Sequence, residues 1–126
     1  MTKAQAVQEF FSSFGLKAYE ENAVPTGDNA PKFPYVTYQL VTDDVTGGNI
    51  PIAASLWDYG SSWVYLNNKV DYISRELGLN GKFINCDGGA VWFKKGSPFA
   101  TSTGDAENQM VKRKKLNITI EYITDY

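Results

Sequence analysis

Apolar residues recur along this chain with two different periods, and each period predicts a kind of element. Val7, Phe10, Phe11 and Phe14 fall at helical spacing and would line one face of a first helix. Thr2 and Gln5, three apart, have the spacing of a capping box at its start, and Gly15 offers a stop. A second stripe, Trp63, Leu66, Val70, Ile73 and Leu77, predicts another helix, with Ser61 or Ser62 as N-cap and Gly78 closing it. Elsewhere the period drops to two. Leu116, Ile118, Ile120 and Tyr122 alternate with Asn117, Thr119 and Glu121, which predicts a strand with one buried and one wet face. Ile52, Ala54 and Leu56 likewise oppose Ala53, Ser55 and Trp57 in a strand over 52–59. Residues 35–41 are β-branched and aromatic and read as its antiparallel partner, and residues 16–20 as a short strand after the first helix. Strands over 82–86 and 90–95 flank Asp87-Gly88-Gly89, a strong hairpin signal.

The resulting order is α-β-β-β-α-β-β-β. Its simplest packing is an α+β domain, a mostly antiparallel sheet with two helices packed on one face. Residues 1–126 then form a single domain. Proline, glycine and asparagine crowd residues 21–34, and glycine, serine, threonine and aspartate crowd 96–109, so both stretches read as mobile loops. Residues 43–51, with Gly47-Gly48, read as a turn. There is no internal repeat.

Composition changes this picture in one respect. Eight Tyr, seven Phe and three Trp exceed what one small core requires, and Tyr and Trp are favoured at protein–protein contacts. Net charge is only −2, giving no general attraction to nucleic acid or to an anionic membrane. Cys86 is the single cysteine, so no intramolecular disulfide can form, and a reducing compartment is expected. The opening Met1-Thr2-Lys3-Ala4-Gln5 lacks the apolar run of a secretory signal, and without secretion the sequon at Asn117 carries no meaning. No apolar stretch approaches the roughly 20 residues that span a bilayer.

Candidate chemistry is sparse. The chain has no histidine, which removes the commonest general base, the commonest zinc ligand and every Ser-His or Cys-His pair. Cys86 neighbours Asp87 and has no local basic activator, so it reads as a small strand residue. Asp43-Asp44 lacks the spacing of a calcium loop. Asp58 and Asp71 read as partners for Lys69 or Arg75. Neither glycine pair is followed by the lysine of a phosphate loop. No catalytic residue, metal site or cofactor is expected.

Lys112-Arg113-Lys114-Lys115, with Lys94-Lys95 on a neighbouring strand, is the one concentrated charge. It reads either as solvent-facing residues at a strand start, balanced by Asp105 and Glu107, or as a contact for an acidic protein surface. A nucleic-acid contact is disfavoured by a pI near 5.0.

The stretches 34–38, 54–57 leading through Ser61-Ser62-Trp63 into a helix, and 87–99 (Asp-Gly-Gly-Ala-Val-Trp-Phe-Lys-Lys-Gly-Ser-Pro-Phe), with Lys112-Arg113 and the strand from Leu116, carry a resemblance. Together they resemble the small tail-terminator (tail-completion) proteins of long-tailed bacteriophages and prophages of Gram-positive bacteria. That resemblance implies a non-enzymatic hexameric ring, assembled in the host cytoplasm and placed at the virion neck. It would cap the tail tube, end its polymerisation and meet head-completion proteins, with DNA passing through without specific binding. The competing readings are another neck or head-completion protein, and a small enzyme or ligand-binding domain with a carboxylate-lined pocket. Trp57, Trp63 and Trp92 are the candidate anchors of a subunit interface, and Lys112, Arg113, Lys114 and Lys115 are expected at a subunit or partner contact.

Overall fold

A computed structural model of the chain describes residues 1–41, 48–104 and 107–124. The Asp43-Asp44 pair, Asp105 and most of the expected turn after residue 42 lie outside the described residues. Two helices, α1 (Lys3–Ser12) and α2 (Val64–Leu77), accompany six strands: β1 (Lys17–Glu20), β2 (Tyr35–Tyr38), β3 (Ile50–Tyr59), β4 (Lys82–Cys86), β5 (Gly89–Gly104) and β6 (Val111–Thr124). Their order along the chain is the α-β-β-β-α-β-β-β read from the sequence. One mixed sheet holds all six in the spatial order β1-β2-β3-β6-β5-β4.

Local chemistry accounts for the helix ends. At the start of α1 the Gln5 amide donates to Thr2 Oγ1 at 3.1 Å and the Thr2 amide to Gln5 Oε1 at 2.8 Å, the reciprocal bonds of a capping box. The helix stops at Ser12, slightly before the expected glycine: the Ser13 hydroxyl donates to the Phe10 carbonyl at 2.6 Å, and Gly15, at φ 81°, turns the chain into β1. The N-cap of α2 is Trp63, without a side-chain cap, and not the expected serine; Ser62 Oγ accepts from the Val64 amide at 3.1 Å just before it. Gly78, at φ 59°, closes that helix.

Every strand pair is antiparallel except β1 with β2, which are parallel. Parallel neighbours need a crossover of about a dozen residues or more. That requirement explains the length of the 21–34 connection, which carries two 3₁₀ turns, Glu21–Ala23 and Gly27–Asn29.

The loop expected over 96–109 is a correction: β5 continues to Gly104. Its pairing with β6 is interrupted by a bulge between Lys95 and Ala100, then resumes with Ala100 opposite Leu116 and Gly104 opposite Lys112. Gly96 permits the bulge, because a Cβ there would lie 2.7 Å from the Asn117 carbonyl oxygen, and Asn117 Nδ2 donates to the Pro98 carbonyl at 2.7 Å. Polar composition there reflects the exposed side chains of residues 101–104, while the backbone pairs with β6 on both sides of the bulge. The Asp87-Gly88 hairpin between β4 and β5 forms as expected.

Both helices pack on the same face. Val7, Phe10, Phe11 and Phe14 of the α1 region and Leu66, Ile73 and Leu77 of α2 join Val36, Ile52, Leu56, Phe93, Leu116, Ile118 and Ile120 in one buried cluster. Phe10 stacks on Phe93 with centroids 3.9 Å apart and takes Phe11 and Phe14 edge-on at 5.0 and 5.1 Å.

Tyr122 closes one end of this core, its hydroxyl donating to the Val41 carbonyl. Burial, with a smaller contribution from nearby Cys86, pushes the phenol up to about 12. The folded state therefore holds this proton more tightly than the unfolded chain, whose tyrosines ionise near 10. The associated stability is complete below about pH 10 and is lost as pH rises toward 12. Because the group is only half-buried, screening reduces the loss to about 1 kcal/mol. Urea titrations at pH 9 and pH 12 are expected to show Tyr122→Phe losing that much less than the native chain.

Candidate functional site

Helices cover one side of the sheet, and the period-two alternation decides what the other side presents. On β3, Ile52, Ala54 and Leu56 face the core, so Ser55, Trp57 and Tyr59 face away. On β2 the same logic turns Tyr35 and Thr37 outward, and on β6 it turns Arg113 and Lys115 outward. Register then joins them, with Tyr35 opposite Trp57 and Trp57 opposite Arg113.

The result is an organised cluster. The Trp57 and Tyr35 rings lie 15° from parallel with centroids 6.1 Å apart, and the Trp57 indole N–H donates to Thr37 Oγ1 at 3.0 Å. The Arg113 guanidinium lies over Trp57, 4.9 Å from its centroid. Its Nε donates to Ser55 Oγ at 2.8 Å, and Ser55 is the one buried polar residue among the described residues. Thus the arginine is held flat by a stack on one side and a hydrogen bond on the other. From the crossover, Phe33 leans against Tyr35 and Tyr59, at 5.3 and 5.8 Å. Tyr19 meets Tyr35 edge-on at 6.2 Å. Phe33 and Tyr59, 41% and 52% exposed, form its open rim.

Trp92 also faces away from the helices but belongs to a separate group. It stacks on Phe83 at 4.9 Å, donates to the Asn80 carbonyl at 2.8 Å, and carries Lys94 4.0 Å above its ring. Trp92 lies opposite Glu121 and Trp57 opposite Arg113, so the groups are eight positions apart along β6, about 27 Å. Trp63 is on the helix side, where it packs against the core edge between Lys112 and Lys114, each 5.5 Å from its ring. The three tryptophans therefore occupy three places.

The basic run is divided in the same way. Lys112 and Lys114 point to the helix side, where Lys112 Nζ donates to the Gln109 carbonyl and Lys114 Nζ to Ser102 Oγ at 2.6 Å. Arg113 and Lys115 point to the other face, and Lys115 is exposed. Lys94 and Lys95 do not extend this run, because register sets them opposite Thr119 and Ile118. Lys94 lies 3.9 Å from Glu121 instead, and Lys95 Nζ donates to Ser74 Oγ at 3.3 Å.

Of the expected ion pairs, Asp71 and Arg75 meet at 2.5 Å, one turn apart on α2. Lys69 instead donates to the Phe14 carbonyl at 2.8 Å, tying α2 to the end of α1. Cys86 is half-buried with a free thiol. Beside β1 a groove of about 560 Å³ runs between residues 15–19 and 28–34, with Tyr65 contributing from α2 and Asp28 as its one carboxylate. Among the described residues, no three His, Cys, Asp or Glu side chains converge to hold a metal ion. No described helix is long and apolar enough to cross a membrane.

Phe33, Tyr35, Tyr59, Tyr19 and Ser55 complete the cluster without having been singled out beforehand. The available signal was an aromatic at the outward position of a strand whose alternate residues are core, as at Tyr35 and Tyr59. A scan against models of known protein families and a search of curated proteins find no match to this chain.

Proposed function

We propose that this protein is a structural assembly component, a ring-forming tail terminator that caps a bacteriophage tail tube and joins it to the neck. One observation carries the reading: the helix-free sheet face holds an ordered Tyr35-Trp57-Arg113 cluster with exposed Phe33 and Tyr59 at its rim. Tryptophan, tyrosine and arginine are the residues that dominate binding energy at protein interfaces. A stacked and hydrogen-bonded arginine has already lost much of its side-chain freedom, so a partner meets a rigid surface.

The arrangement also suits a closed ring. Head-to-tail assembly requires two unlike patches on each subunit, and Trp57 and Trp92 anchor unlike patches at opposite ends of the same face. The α+β architecture of a helix-backed sheet agrees with the terminator-like fold that the sequence resembles. Light scattering after size exclusion, over a range of concentration and salt, tests the reading. A mass six times that of the 14.0 kDa chain, approached as concentration rises, is the expected result. A monomer throughout overturns it.

A further inference from the structure

The sheet consists of two offset portions that share β3, β6 and β5. In the portion beyond the bulge, β1, β2, the end of β3, the start of β6 and residues 100–104 of β5 lie side by side. β4 does not reach it, because its pairing with β5 ends at Lys82 opposite Phe93. This five-stranded portion therefore has two edges with no strand beyond them among the described residues: β1 on one side and Ala100–Gly104 on the other.

Natural sheets guard such edges with lysine, proline or a cover. The Ala100-Thr101-Ser102-Thr103-Gly104 edge has no charge and no proline within it, and four of its five residues are exposed. Ala100 packs at the edge of the core and residues 101–104 are exposed, yet all five keep register partners on β6. At the opposite side, Lys17 and Tyr19 of β1 line the groove described above, and Gln8 Nε2 donates to the Ala18 carbonyl at 2.9 Å.

We infer that these edges pair with each other between copies, residues 100–104 of one subunit adding as a strand beside Lys17–Glu20 of the next. This rests on the ring reading and adds a backbone contact to the side-chain patches that reading uses. The occupant is argued from topology. The edges are unlike and lie at opposite sides of one sheet, so each addition repeats the same rotation and leaves an identical free edge until closure removes it. Pairing of residues 100–104 with themselves would stop at two copies and leave β1 open. In a sheet continued this way, Thr103 and Lys17 share the helix-free face with Arg113 and Tyr35, their register partners.

Cross-linking tests the pairing. In a Cys86→Ala background, Lys17→Cys and Thr103→Cys are combined in one chain and treated with a short bismaleimide. A ladder of covalent species climbing past the dimer is expected, while either cysteine alone gives none. Dimers from Thr103→Cys alone would mean that this edge pairs with itself, and would overturn the assignment. An assembled protein without a ladder overturns the edge pairing and leaves the ring reading intact, whereas a strict monomer overturns both. Ser102→Pro and Thr103→Pro add an independent arm, since neighbouring strand residues direct their N–H groups to opposite sides. One of the two loses a bond to β6, and the other loses only its outward donor. The variant that keeps native circular dichroism and melting is expected to fall to monomer mass; its continued assembly overturns the proposal.

Discussion

Phe10→Ala is expected to lower the free energy of unfolding by about 4 kcal/mol, the middle of the range for deleting a buried aromatic. Phe10 is fully buried, and its ring is the hub on which Phe93, Phe11 and Phe14 converge. Truncation removes the stack that ties α1 to β5 together with two edge contacts. The cavity opens between a helix and a sheet that are each held in place by other contacts, which limits collapse. Against a total stability of about 5–15 kcal/mol, such a loss leaves a marginal fold. Urea unfolding followed by circular dichroism measures it. A melting temperature lower by about 12–20 °C should accompany it. A loss under about 1 kcal/mol would show that the cluster rearranges to fill the gap, and that α1 is held chiefly by its cap and by Lys69.

The second large effect concerns association. Trp57→Ala is expected to weaken self-assembly by at least about 30-fold, the equivalent of about 2 kcal/mol at an interface centre. Without the indole, Arg113 loses its stacking partner and Tyr35 its parallel neighbour. Tyr59→Ala is the companion variant: its ring is more than half exposed and leans on Phe33, so the fold is little affected. Arg113→Lys keeps the charge but loses the planar stack, and is expected to lie between Trp57→Ala and the native chain. Sedimentation at several concentrations reads all three. If Trp57→Ala assembles normally, the cluster is surface decoration and the interface lies elsewhere. Because packing more than charge would hold this contact, raising salt should weaken it little.

How much of this was legible follows from what each residue does. Strict alternation at Leu116, Ile118 and Ile120 announces both a strand and its buried face, since only one pleat direction gathers these three on one side. Helical spacing at Val7, Phe10, Phe11 and Phe14 does the same for α1. The Ala100–Gly104 segment was hidden, because composition reports burial better than it reports hydrogen bonding. Those residues form a strand by pairing with β6 while their side chains stay wet. The parallel pairing of β1 was hidden too, as four residues carry no record of direction. Among the site residues, Trp57 could be assigned to the face opposite Leu56 from spacing alone. Its union with Tyr35 and Arg113 could not, because it depends on the register of β3 against β2 and β6. Separation of the four basic residues was implicit in their strand position, since neighbours on a strand point to opposite faces.

The position of β6 between β3 and β5 has a consequence for how the protein is made. β1, β2 and β3 reach β5 and β4 only through β6, which is also the final strand in sequence. During synthesis a nascent chain that has emerged through β5 holds two groups of strands that only the helices can link, because β6 supplies every sheet pairing between them. Emergence of β6 completes the sheet and the outward row of Tyr35, Trp57 and Arg113 together. Growing chains crowded on one message lack the finished surface until β6 emerges, and association waits for that strand to pair.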